Sequence, residues 1–200
     1  MALGAVVALA LGLGAWLIGQ QLLSSPGAAH PARHAAIASS QLIAFRDPQG
    51  TFAISYPSSW QQLPSGAQQV VLLAASSDGA SLLVRKATLD GAVTAANLTA
   101  ARKLTDRVVA SGDNVIQLRA PQQVALGGLP GYLYLYTFYD PQTRQRGAHA
   151  HYFVFDGATM ITLVFQALPA PRIFSLAPLF DRVAATFRVL PAQSGATTAP

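Results

Sequence analysis

Phe45-Arg46-Asp47-Pro48-Gln49-Gly50-Thr51-Phe52-Ala53-Ile54-Ser55-Tyr56-Pro57-Ser58-Ser59-Trp60 is the stretch whose reading decides the fold of this chain. Asp47-Pro48-Gln49-Gly50 is a turn, because proline presets φ and glycine tolerates a positive one. Beyond it Thr51, Ala53 and Ser55 alternate with Phe52, Ile54 and Tyr56, a period of two that gives a strand one apolar face to bury. Pro57 removes a ladder donor, and Trp60 can fold back over the core edge.

Downstream the period stays mostly at two. Gln69 to Ala74 and Ser81 to Thr88 read as a strand pair across Ser77-Asp78-Gly79, with shorter strands at Asn114 to Arg119 and Gln123 to Leu126. Three longer strands follow: Gly131 to Tyr139, Ala148 to Phe155 and Ala158 to Ala167. The last two are joined by Asp156-Gly157, a strong hairpin signal. Two segments have helical spacing instead. Val93, Asn97, Ala101, Leu104 and Val108 form one stripe, and Leu176, Leu179, Phe180, Val183 and Phe187 form another after Pro171. Hairpins without regular βαβ alternation, together with two covering helices, predict an α+β domain, an antiparallel sandwich rather than a parallel Rossmann sheet.

Composition narrows the class. The 200 residues are 52% apolar and 10% charged, which excludes intrinsic disorder. There is no cysteine, so disulfides, thiolate metal sites, a cysteine nucleophile and a lipoprotein anchor are excluded. The net charge is +5, from 13 Lys and Arg against 8 acids that are all Asp. The basic residues are scattered along the chain, without the runs or aromatic interleaving of a nucleic-acid groove, and no nucleic-acid partner is expected.

Residues 2–19 carry no charge or proline. Extended through residue 23, they would make a helix of about 33 Å, enough to cross a hydrocarbon core. Residues 1–23 therefore read as a transmembrane helix or signal anchor in contact with membrane lipid. A cleaved signal peptide is the alternative, with cleavage possible at Gly27-Ala28-Ala29 or Ala36-Ile37-Ala38. The first cation, Arg33, follows the span, and the positive-inside rule alone would put the domain in the cytoplasm. Residues 24–41, rich in Ser, Ala, Pro and His, read as a linker, 42–190 as the folded domain, and 191–200 as a disordered tail.

The opening stretch, read as D-x-x-G-x-F-x-I-x-Y-P-x-x-W from Asp47 to Trp60, resembles the signature of PsbP-like domains. The later order is similar: a helix near 93–111, a G-x-P-G turn at Gly128-Leu129-Pro130-Gly131, aromatic strands, a hairpin and a closing helix. The resemblance implies an α/β/α sandwich with a central antiparallel sheet, and likeness to bacterial membrane-tethered or secreted LpqN-like members. It transfers no functional residue.

Chemistry-bearing motifs are sparse. G-x-S-x-G, the P-loop and H-E-x-x-H are absent from the sequence. Asp47, Asp78, Asp90, Asp140 and Asp156 each precede Pro or Gly and read as turn formers. Asp106 and Asp181 sit on exposed helix faces, so no carboxylate pair converges. His149 and His151 share a strand face and are weak metal candidates. Their other reading is two polar residues at the exposed start of a strand, and neither a metal nor another cofactor is expected. Tyr132, Tyr134 and Tyr136, with Phe138, form an aromatic stripe that suits either a partner surface or a sheet face under a helix. Arg102, Lys103 and Arg107 form a basic helix face, a second candidate for partner contact. The expectation is a single-pass, membrane-anchored protein whose extracytoplasmic domain binds or scaffolds a protein partner at the membrane without catalysis. An accessory subunit or weak hydrolase of the cell envelope is the alternative.

Overall fold

A computed structural model describes residues 41–191, so the expected membrane segment, most of the linker and the tail lie outside the described residues. Among the described residues no helix is long and apolar enough to cross a membrane. The chain order is β1 (Leu42–Arg46), β2 (Phe52–Pro57), β3 (Gln61–Gln62), β4 (Val70–Ala75), β5 (Ala80–Val93), α1 (Leu98–Ala110), β6 (Ile116–Gln117), β7 (Gln122–Leu126), β8 (Leu129–Asp140), β9 (Gln145–Ala167), α2 (Arg172–Ala184) and β10 (Arg188–Val189). All pairings are antiparallel. They make a small β1-β2-β10 sheet and a larger sheet ordered β3-β4-β5-β9-β8-β6, with β7 also on β8.

β9 is continuously hydrogen-bonded but reverses at Asp156-Gly157. Its first half pairs with β8, as Gly131 with Val154, and its second half with β5, as Ala80 with Ala167. The His149 and Gln166 side chains meet at 3.0 Å, whereas seventeen extended residues would span about 56 Å. Gly157 takes φ +55°, the conformation that the Asp-Gly dipeptide supplies without a Cβ clash. The expected hairpin is therefore present inside one ladder.

Strict alternation gives the large sheet two faces. Leu82, Val84, Leu133, Val154, Ile161, Leu163 and Phe165 face α2 and the small sheet, forming the main core with Phe52, Ile54, Tyr56 and Phe187. Trp60 packs edge-on against Phe180 at 6.5 Å, as its place after the first strand suggested. The opposite face carries Tyr132, Tyr134, Tyr136, Phe153 and Met160 beneath α1. All five apolar residues of the second helical stripe are buried, four of them on α2 and Phe187 beyond its end rather than on it.

Local expectations needed four corrections. α1 begins at Leu98, and Val93 belongs to β5. The face that α1 buries is Leu98, Ala101, Thr105 and Val109, one position from the apolar stripe, with Leu104 and Val108 only partly covered. The polar Thr105 can occupy the centre because its Oγ1 lies 2.7 Å from the buried Tyr134 hydroxyl. Asp90-Gly91 does not end a strand but lies in β5, where the ladder shifts register between Thr88 and Val93. Asp47 is more than a turn former: its side chain is fully buried and receives Lys86 Nζ at 2.9 Å. With Gln49 also accepting from Lys86, the opening turn is pinned to the large sheet.

Candidate ligand-binding groove

α1 has thirteen residues and covers one end of its sheet face. Beyond its C-terminus the same face is concave, enclosing a cavity of about 230 Å³. Four strand segments supply the floor, each presenting alternate residues: Ser81, Leu83 and Arg85 from β5, Thr162, Val164 and Gln166 from the second half of β9, His149 and His151 from its first half, and Tyr136 and Phe138 from β8. The end of α1 and the following loop close one side with Val109, Gly112 and Asp113.

The aromatic stripe lies inside rather than on the surface. Tyr132, Tyr134 and Tyr136 are all buried, so an exposed partner face made of these rings is not what the domain presents. Each hydroxyl has a partner: Tyr132 donates to the Leu98 carbonyl at 3.2 Å, Tyr134 donates to Asp106 Oδ1 at 2.6 Å, and Tyr136 bonds the histidines. Burial, reinforced by Asp106, pushes the Tyr134 phenol well above its usual range. Asp106, expected to be only a solvated helix residue, thus caps a buried tyrosine.

The histidines are not an exposed strand start either. His151 is buried, and His149 is partly buried. Each stacks on a phenylalanine, His149 on Phe138 at 4.1 Å and His151 on Phe153 at 3.9 Å. The Tyr136 hydroxyl bridges them, 3.1 Å from Nδ1 of each ring. Burial holds both imidazoles neutral, lowering His149 to about 4 against a smaller upward effect of its Gln166 bond, and His151 well below its ordinary value. As a metal pair they are poorly disposed, because both His149 nitrogens are already bonded, to Tyr136 and Gln166. Among the described residues no three His, Asp or Glu side chains gather into a metal-ligand group.

Two atoms in this groove are unusual. Ser81 Oγ and His151 Nε2 are buried and have no hydrogen-bond partner among the described residues, although such groups are normally satisfied. Ser81 on β5 and His151 on the first half of β9 are separated by the second half of β9, where Gln166 pairs with Ser81 and reaches His149. Leu83, Val164 and Phe138 line the same floor. Arg85 lies at the edge, donating to Gln69 Oε1 at 2.7 Å. Sequence reasoning found the histidines but missed Ser81, Arg85, Thr162 and Gln166. Their shared face was readable from alternation within each strand, but their proximity comes from register between strands.

The basic candidates lie elsewhere. Arg102 pairs loosely with Asp106 at 3.6 Å, and Lys103 and Arg107 are exposed on the outer side of α1. The helix separates them from the tyrosines, so the two groups do not form one surface.

No protein-family model and no curated protein matches the sequence. Among solved structures, cyanobacterial PsbP (CyanoP) from Synechocystis superposes with TM-score 0.52 and 17% identity, covering 84% of this chain and 98% of that one. LpqN of Mycobacterium tuberculosis, described as involved in cell envelope biogenesis, superposes with TM-score 0.54 and 14% identity, covering 83% and 100%. A Bacteroides thetaiotaomicron protein gives TM-score 0.50 and 13% identity over 73% of this chain and 47% of its own.

Proposed function

We propose that the chain, whose described domain has the PsbP-like fold that the opening stretch resembles, is a non-catalytic binding domain whose ligand occupies the groove beside α1. It is tethered to a membrane through residues 2–23, with the domain on the extracytoplasmic side, where it meets its partners. The observation that carries the binding reading is the pair of buried, unpartnered polar atoms, Ser81 Oγ and His151 Nε2, in a concavity that also presents apolar surface from Leu83, Val164 and Phe138. The histidine hydrogen bonds lead to Tyr136 and Gln166 rather than to a nucleophile, so the groove has no activated-nucleophile arrangement of the usual kind. The envelope role of LpqN and the uncharged run of residues 2–19 support the location.

The test compares the wild-type chain with Val164→Trp, which fills the groove from its floor. Both are isolated from their own membrane and their co-purifying small molecules and proteins identified by mass spectrometry. A species held by the wild type and lost from the variant supports the reading. Identical sets, or saturable hydrolysis of esters, peptides or glycosides by the purified chain, overturn it. Retention in membranes after carbonate washing, with the domain digested by external protease, is the expected outcome for the tether. A soluble product or a protected domain overturns that part.

A further inference from the structure

We infer that the groove accepts an uncharged, elongated alcohol whose hydroxyl donates a hydrogen bond to His151 Nε2 and whose apolar body lies along Leu83, Val164 and Phe138. This rests on the binding reading above and specifies the ligand.

The polarity follows from counting protons along a chain of hydrogen bonds. Gln166 presents Oε1 to His149 Nε2 at 3.0 Å, and an amide oxygen only accepts, so His149 carries its proton on Nε2. A neutral imidazole has one N–H, which leaves His149 Nδ1 bare to accept the Tyr136 proton at 3.1 Å. Tyr136 has then spent its single proton, and its oxygen must accept from His151 Nδ1, also at 3.1 Å. His151 is thereby protonated on Nδ1, and its Nε2 is a lone pair without a donor, buried where an unmet acceptor costs about 1–3 kcal/mol. A ligand hydroxyl supplies that donor.

Charge on the ligand is disfavoured from both sides. An anionic oxygen would face that lone pair, and the two cations of the lining, Arg85 and Lys86, already bond Gln69 and Asp47; a cation would face both of them. Size follows from the volume: a cavity of about 150 Å³ holds benzene, so the 230 Å³ here suits about ten non-hydrogen atoms. Ser81 Oγ, across the second half of β9, offers a second hydrogen bond to a ligand with a polar group there.

The experiment uses the full chain and three probes of nearly equal size: 1-nonanol, its isomer methyl octyl ether, and nonanoate. Affinity is measured for the wild type and for His151→Phe, so that partition into detergent cancels in each ratio. His151→Phe should weaken nonanol at least tenfold and the ether less than twofold, with nonanoate the weakest probe on the wild type. Should the variant not fold, the ring ¹⁵N spectrum of the wild type carries the test. His151 Nε2 should have no attached proton, and should shift upfield by several ppm with nonanol but not with the ether. A proton on Nε2 in the free chain, equal responses to alcohol and ether, or tightest binding of nonanoate overturns the inference. If nonanol fails while Val164→Trp still releases a native species, the ligand class is wrong and the groove stands. If Val164→Trp changes nothing, both fall.

Discussion

Lys86→Met is the perturbation that most directly tests how the opening turn is held. Lys86 Nζ lies 2.9 Å from Asp47 Oδ2, with the lysine side chain 14% exposed and the aspartate 0%. At that separation and an effective dielectric near 20, the gross attraction is about 6 kcal/mol, most of it offset by desolvation. Methionine keeps the aliphatic stem but strands a buried carboxylate whose remaining support is Thr51, through its N–H and hydroxyl. Removing one member of a buried pair costs about 3–5 kcal/mol. The lower end applies here because the lysine touches solvent, and it corresponds to a fall of about 6–12 °C in melting temperature for a domain of this size. The pH dependence gives the diagnostic. In the wild type, burial raises the Asp47 pKa, but the bonds from Thr51 and Lys86 outweigh it and hold the carboxyl below 3.8. Its stabilisation is therefore present above the unfolded value and lost as pH falls through the folded one. Without Lys86 burial prevails, the pKa rises, and protonation relieves the variant, so the gap to wild type should close as pH drops below about 4. Urea unfolding followed by Trp60 fluorescence at pH 7 and pH 3 measures both quantities, and Asp47→Asn in the Lys86→Met background should recover most of the loss. A penalty under about 1 kcal/mol at pH 7, or one that is equally large at pH 3, would refute the reasoning.

Three other outcomes are expected. Tyr134→Ala removes a buried ring, its bonds to Thr105 and Asp106 and its edge contact with Phe153 at 5.5 Å, and should cost about 3–5 kcal/mol in denaturant unfolding; an unchanged melting temperature with lost partner affinity would restore the surface reading of the stripe. Gly131→Ala drives a Cβ into the Phe153 carbonyl oxygen, so the β8–β9 ladder must part locally, and a loss of at least about 2 kcal/mol by the same assay is expected. His149, neutral in the fold with a pKa of about 4, takes up a proton on unfolding below its ordinary 6.5; its share of the stability lost between pH 6.5 and 4 is therefore up to about 3 kcal/mol, His151 adds to the loss, and His149→Phe should make that slope shallower.

Local signals carried the opening turn, the period of two, the Asp-Gly hairpin and the stripe of α2, because each depends on residues close in sequence. Gly50 at φ +70° and Gly157 at +55° sit where their dipeptides implied. The stripe of α1 was misread by one position because Thr105 counts as polar in any pattern, and only the Tyr134 hydroxyl across the sheet makes its burial tolerable. Asp90-Gly91 failed as a turn signal for a related reason: β9 offers Gly157 to Val93, so pairing continues past it. The Asp47–Lys86 pair joins positions thirty-nine residues apart, a relation no local pattern contains.

By itself the sequence determined that His149 and His151 share one side of a strand, that four tyrosine and phenylalanine rings share another, and that two amphipathic helices would each cover apolar surface. Which side of the sheet those rings face, and how much of it a helix reaches, was decided by tertiary structure. Strand register sets Tyr136 between the two imidazoles and Gln166 against the first of them. A helix of thirteen residues is only about 20 Å long, so it covers the tyrosine end of that face and leaves the histidine end as a groove. Alternation is a property of each strand alone, whereas a site made from β5, both halves of β9, β8 and the end of α1 exists only once the ladders are in register.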